Sequence, residues 1–250
     1  MRDALLNDFA IRSFRDTADR DYIHARLAYR AQLVPQFQWS ALHCLEKYAK
    51  CILVLNRVPA KSLRHEVTGA LALMAKNGPF KVPLCEQTEK FIQRLEDGAE
   101  FRYFEVSYFN VEHDVVRLDR AVWELRRYCQ VLNHDVEFPD RKFNALAMNL
   151  QRVQQAIEKN EKGTCIMHGW LESVIKKRAH AAREPLLWNN LHFGPSARKT
   201  IKIRSYMEAG NSPLYMHPEI LDDVVKYTYL PKRVEAAWRA ELEKKARNAG

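Results

Sequence analysis

Glycine is scarce in this chain, at 8 of 250 residues. Leu, Ala, Arg, Lys and Glu are abundant, so the composition favours helices over a turn-rich β fold. No apolar run is longer than the six residues from Ala70 to Ala75, against about 20 needed to cross a bilayer. The N-terminal MRDALLNDFAIRSFRD mixes charge into every turn and lacks the apolar core of a signal peptide. The five cysteines, Cys44, Cys51, Cys85, Cys129 and Cys165, are odd in number and show no paired spacing, as in reduced proteins. These absences exclude a membrane-spanning or disulfide-framed chain and lead us to expect a soluble, cytoplasmic protein.

Familiar chemical motifs are also missing. There is no Walker-type glycine loop, no G-x-G-x-x-G, no H-E-x-x-H, no C-x-x-C and no G-x-S-x-G. His217-Pro218-Glu219 has the H-x-E of zinc deaminases without the P-C-x-x-C that would complete the zinc site, and reads as a helix start. The sequence thus calls for no metal and no cofactor.

What is present is basic charge. A net charge of +9 and a pI near 9.3 point to an anionic partner, nucleic acid first among them. Residues 176–204 carry eight Lys or Arg against the single Glu184. Within them KKRAHAAR, residues 176–183, lies between Trp170 and Trp188 on what reads as one helix over 170–190. Interleaved rings and cations suit single-stranded nucleic acid, so Lys176, Lys177 and Arg178 are candidate ligand-binding residues.

Periodicity organises the rest. Ser13 and Asp16 read as a helix start, with Phe14, Ala18, Tyr22, Ala25 and Tyr29 on one face and Arg15, Asp19, Arg26 and Arg30 on a charged flank. Pro35 opens a second helix with an apolar face running from Phe37 to Leu55 and a stripe of His43, Lys47 and Lys50. Pro59 breaks it. Further helices are expected over residues 62–76, stopping before Asn77-Gly78-Pro79, and over 83–95 and 111–132, with an aromatic extended segment at 100–110. Residues 133–141 are the best boundary, followed by helices at 142–160, 170–190, 218–229 and 231–247 and a short strand at 198–205. Tyr22 and Tyr48 read as core residues with hydroxyls at the rim, and Glu46 as a partner for Arg26 or Arg30.

FRDTADRDYIHARLAYR, then WSALHCLEKYAKCILVLNRVPAKSLRHEV, then FRYF before a long helix, resemble the HEPN domain family over about residues 10–133. The matching features are Asp21-Tyr22 and Ala25-Arg26, Leu45-Glu46-Lys47 with Lys50, the turn from Pro59 to His65, and Arg102-Tyr103. The resemblance implies an all-α, antiparallel HEPN-type bundle over residues 1–133. Residues 134–250 would be a basic helical extension packed on it.

It further implies a homodimer in a prokaryotic toxin, defence or stress system, often beside a nucleotidyltransferase. Many members are metal-independent endoribonucleases with an Arg and a His a few residues apart. Here Arg57 and His65 flank the corresponding turn, separated by seven residues, one beyond the family's spacing. Arg127 and His134 are separated by six, with Tyr128 where the family has a polar residue.

On this reading His65 would move protons and Arg57 would stabilise the phosphorane charge. Arg127 with His134 is the second choice, and Lys47, Lys50, Lys61, Arg64 and Arg102 would bind the ligand. Two readings stand: an RNA- or nucleotide-binding protein, cleaving RNA if catalytic, and a non-catalytic interaction module for a nucleotidyltransferase or another protein.

Overall fold

A computed structural model describes residues 2–61, 63, 66–99, 107–111, 113–159, 169–194, 198–202 and 207–249. Among these residues the chain is an all-α helical bundle with two small two-stranded sheets. Its helices are α1 (Arg2–Ala10), α2 (Asp16–Arg30), α3 (Val34–Leu55), α4 (Val67–Asn77), α5 (Glu86–Ala99), α6 (Asp114–Arg126), α7 (Ala145–Glu158), α8 (Trp170–Lys176), α9 (Arg183–Leu187), α10 (Pro213–Met216), α11 (Leu221–Tyr227) and α12 (Lys232–Ala249). The strands are β1 (Tyr108–Val111), β2 (Asp135–Glu137), β3 (Lys142–Asn144) and β4 (Met207–Gly210).

The helix expected to start near Ser13 begins instead at Arg2. A π-helical turn, Ile11–Arg15, joins α1 to α2. The extra residue of such a turn shifts the facing stripe: Phe14 packs edge-on to Phe9, and Arg15 turns inward against Asp16.

α3 follows the sequence closely, with Pro35 in its first turn, where the missing N–H is harmless. Its apolar face, including Phe37, Ala41, Cys44, Tyr48, Ile52 and Leu55, is buried. α2 and α3 lie side by side and antiparallel, since Asp21 pairs with Lys47 while His24 meets Ser40 three residues later on α2 and seven earlier on α3.

The main core does not divide at residue 133. Leu171, Val174, Leu186 and Phe193 join the same buried cluster as α2, α3 and α6. Residues 214–242 form a separate small cluster around Leu214, Leu221, Leu230 and Val234. The expected polar boundary is a β2–β3 hairpin, and Asn144 then caps α7 by accepting from the Leu146 N–H. β1 pairs antiparallel with β4, Tyr108 opposite Gly210. That places the C-terminal strand at 207–210 rather than within 198–205, of which residues 203–205 lie outside the described residues.

The helix expected over 170–190 is two helices. α8 ends at Lys177, whose backbone is extended, and α9 restarts with Pro185 in its first turn, where proline is tolerated.

Candidate nucleic-acid interface

Of the charged flank Arg15, Asp19, Arg26 and Arg30, the first three are buried and Arg30 is exposed. Asp19 and Arg26 are fully buried beneath residues from α6 and from the 169–194 segment. Asp19 accepts from the Tyr48 hydroxyl at 2.6 Å and from Arg126 Nε and Nη2 at 2.7 and 2.9 Å. Arg126 also donates to Glu172 Oε1 and Oε2 at 2.6 and 2.8 Å.

Two helical turns along, Arg26 pairs with Asp119 and donates to the carbonyls of Pro185 and Trp188. Tyr22 donates to Asp119 at 2.6 Å and accepts from Asn190 at 2.8 Å. The hydroxyls of Tyr22 and Tyr48 are therefore buried rather than at the rim. Burial and the neighbouring carboxylates push both well above the usual tyrosine range. Arg26 and Arg126 keep their charge despite desolvation, because Asp119 in one case and Asp19 with Glu172 in the other raise their proton affinity. Arg26 and Arg30 take Asp119 and Glu184 as partners, while Glu46 sits beside Lys50.

This buried lattice fixes what stands on the surface. α2 presents Arg20, His24, Leu27 and Arg30 along one exposed stripe, at spacings that keep them on a single face. The Arg20 guanidinium lies over the Trp170 ring at 4.9 Å, and that of Arg30 over Trp188 at 5.1 Å. His180 meets Trp170 edge-on with centroids 5.7 Å apart. In the same turn Lys176, Lys177 and Arg178 are exposed, the His180 N–H donating to the Lys177 carbonyl at 3.0 Å. The basic triplet therefore runs from the last residue of α8 into the turn after it, not along one helix. No local sequence pattern announces the two Arg–Trp stacks, because each joins residues more than a hundred positions apart.

The other sequence candidates fall elsewhere. Arg57 ends α3 in the left-handed region at φ 61. The Val58 N–H donates to the Leu53 carbonyl and the Arg57 N–H to the Val54 carbonyl, the two bonds of a Schellman stop. Its Nη1 donates to the carbonyls of Val54 and Leu55 at 3.1 and 3.0 Å and to Asn7 at 2.8 Å, while Nη2 pairs with Asp3 at 3.2 Å. Arg57 thus caps α3 and fastens α1. His65, Arg64 and Arg102 lie outside the described residues.

Arg127 folds back on its own helix, donating to the Trp123 carbonyl at 2.8 Å and lying 4.9 Å over the Trp123 ring. Burial lowers its proton affinity. His134 is half-buried, its Nδ1 without a partner among the described residues. Lys47 pairs with Asp21, Lys50 with Glu46, and Lys61 is exposed after α3.

No protein-family model, curated protein or solved structure matches this chain.

Among the described residues, no helix is long and apolar enough to cross a membrane, and no group of three or more His, Cys, Asp or Glu could hold a metal ion. The surface chemistry that stands out is therefore cationic and aromatic, spread over α2, the turn after α8 and α9.

Proposed function

We propose that this chain is a HEPN-like RNA- or nucleotide-binding protein of a prokaryotic toxin, defence or stress system, acting as a homodimer. The observation that carries the reading is the edge formed by Arg20 on Trp170, Arg30 on Trp188 and the exposed Lys176-Lys177-Arg178 turn. A single strand offers phosphates to the cations and unpaired bases to the rings, and this edge supplies both.

The test is fluorescence anisotropy of a labelled single-stranded RNA across a salt series. Affinity should fall linearly with salt on logarithmic axes. The Lys176→Ala/Lys177→Ala/Arg178→Ala variant should bind more weakly and reduce the slope by about 0.7 for each phosphate that it no longer neutralises. Absence of binding, or a triple variant that binds like the parent, counts against the reading.

A second reading, a non-catalytic module for a nucleotidyltransferase or another protein, is favoured by the apolar residues of α1, where Leu5 and Phe9 are 63% and 53% exposed. Co-purification that survives high salt but fails with Leu5→Ser/Phe9→Ser would select it.

A further inference from the structure

The C-terminal module, α10 to α12, buries a small apolar cluster and leaves two large rings in water. Leu214, Leu221, Leu230 and Val234 form the cluster, while Tyr227 and Tyr229 are each 79% exposed. Their placement is local in origin. α11 ends at Tyr227, and Thr228, which caps it, is extended at φ −142 and ψ 158. Pro231 disfavours the helical region at Leu230, whose side chain is buried in the cluster. Successive side chains of an extended segment point to opposite sides, so burial of Leu230 sends Tyr229 outward, and the extended Thr228 puts Tyr227 on the same side.

The charge around the rings is of one sign. Residues 224–234 hold Lys226, Lys232 and Arg233 and no acid, and all three bases are exposed. The Lys226 ammonium lies over the Tyr227 ring at 5.2 Å. Of the flanking acids, Asp222 and Glu235 are both engaged by Arg239. Lys232 and Arg233 stand in the first turn of α12, where cations oppose the helix dipole, so their charge is no help to the helix that carries them. From Lys226 to Arg233 the exposed side chains are three cations, two phenol rings and a hydroxyl, whereas Leu230 is buried. The centre of a protein interface is depleted of charge. Rings interleaved with cations suit bases and phosphates instead.

We infer that residues 226–233 form a second platform for single-stranded nucleic acid, with bases stacking on Tyr227 and Tyr229 and phosphates drawn to Lys226 and Lys232. The platform lies outside the edge built by α2, α8 and α9, on a module with a core of its own. The inference rests on the RNA-binding reading and gives it a further contact. Every base has a face that can stack on a ring, so the platform adds affinity without adding sequence preference.

Anisotropy of the labelled single-stranded RNA with the full chain tests this, with circular dichroism and melting on each variant. Tyr227→Ala/Tyr229→Ala should weaken binding about five-fold or more and melt like the parent, because both side chains stand in water. Tyr227→Phe/Tyr229→Phe, which keeps both rings, should bind like the parent. Lys226→Ala/Lys232→Ala should reduce the salt slope by about 0.7 for each phosphate no longer neutralised. An alanine pair that binds like the parent, while Lys176→Ala/Lys177→Ala/Arg178→Ala binds more weakly, overturns the platform and leaves the edge in place. Equal weakening by the alanine and phenylalanine pairs overturns the stacking role. A protein that co-purifies with the parent and is lost from the alanine pair, with RNA affinity unchanged, overturns the platform in favour of a protein partner. A parent that binds no RNA overturns both the platform and the binding reading.

Discussion

Arg126 of α6 joins Asp19 of α2 to Glu172 of α8 through four hydrogen bonds, with all three side chains buried. The contact fastens a segment from beyond residue 160 into the N-terminal bundle. It also positions Trp170, two residues before Glu172, beneath Arg20. Breaking a buried ion pair by removing one partner costs about 3–5 kcal/mol, because the remaining charge is stranded. Arg126→Met, which strands both Asp19 and Glu172, should lower the free energy of urea unfolding by at least that amount. Glu172→Gln should cost less and speed amide exchange over residues 169–194 before the rest of the core. Uniform exchange would contradict the latch.

Gly169 tests the same contact from the other side. A β-carbon there would come within 2.7 Å of Arg126 Nη2 and 2.9 Å of Glu172 Oε2. Its backbone is extended, at φ −149, so the penalty is one of space alone. Gly169→Ala should destabilise by about 1–3 kcal/mol and weaken RNA binding by displacing Trp170, as read by melting and anisotropy.

Arg57 serves α3 as a cap. Arg57→Gly retains the left-handed backbone but loses the side-chain bonds to Val54, Leu55, Asn7 and Asp3, and should cost about 1–2 kcal/mol. Arg57→Ala should cost more, since alanine keeps the left-handed penalty at φ 61 that glycine relieves. Both should bind RNA like the parent once folded. A folded Arg57 variant that no longer binds RNA would contradict this capping role.

Alkaline pH should unfold the protein early. Tyr22 and Tyr48 sit well above the ordinary 10.0 because burial opposes the phenolate, and Cys44 and Cys129 sit well above 9.0 for the same reason. Each group is protonated in both states below its unfolded value, so its contribution there is complete. Above it the unfolded chain releases the proton first, and stability falls as pH climbs toward the folded value. Each group adds about 1.4 kcal/mol per pH unit to the decline. Urea midpoints from pH 8 to 11 should therefore drop from about pH 9 and more steeply beyond 10. Tyr22→Phe should flatten the upper part, and an unchanged slope would contradict its burial.

α3 was legible because its signals are local: Pro35 at the start, an apolar face, and a stop before Pro59. The π-helical turn was not, since Ser13 and Asp16 imitate a helix start and only packing of Phe14 and Arg15 calls for the extra residue. The burial of Asp19 and Arg26 was not legible because the groups that cover them, Glu172, Pro185, Trp188 and Asn190, lie about 150 positions away. The break inside 170–190 did leave a sign, Pro185, which cannot sit in a helix interior without losing a backbone bond. At the candidate interface, Trp170, Trp188 and the basic triplet could be read from composition. Their partners Arg20 and Arg30, and the meeting of His24 with Ser40, come from helix pairing and leave no local pattern.

The most direct test of the RNA-binding account is photo-cross-linking of 4-thiouridine-labelled single-stranded RNA to the full chain, with the modified peptides identified by mass spectrometry. The account predicts adducts on α2 between Arg20 and Arg30 and between Trp170 and Trp188. Cross-links confined to other regions, or none at a protein concentration that saturates the anisotropy signal, would contradict it.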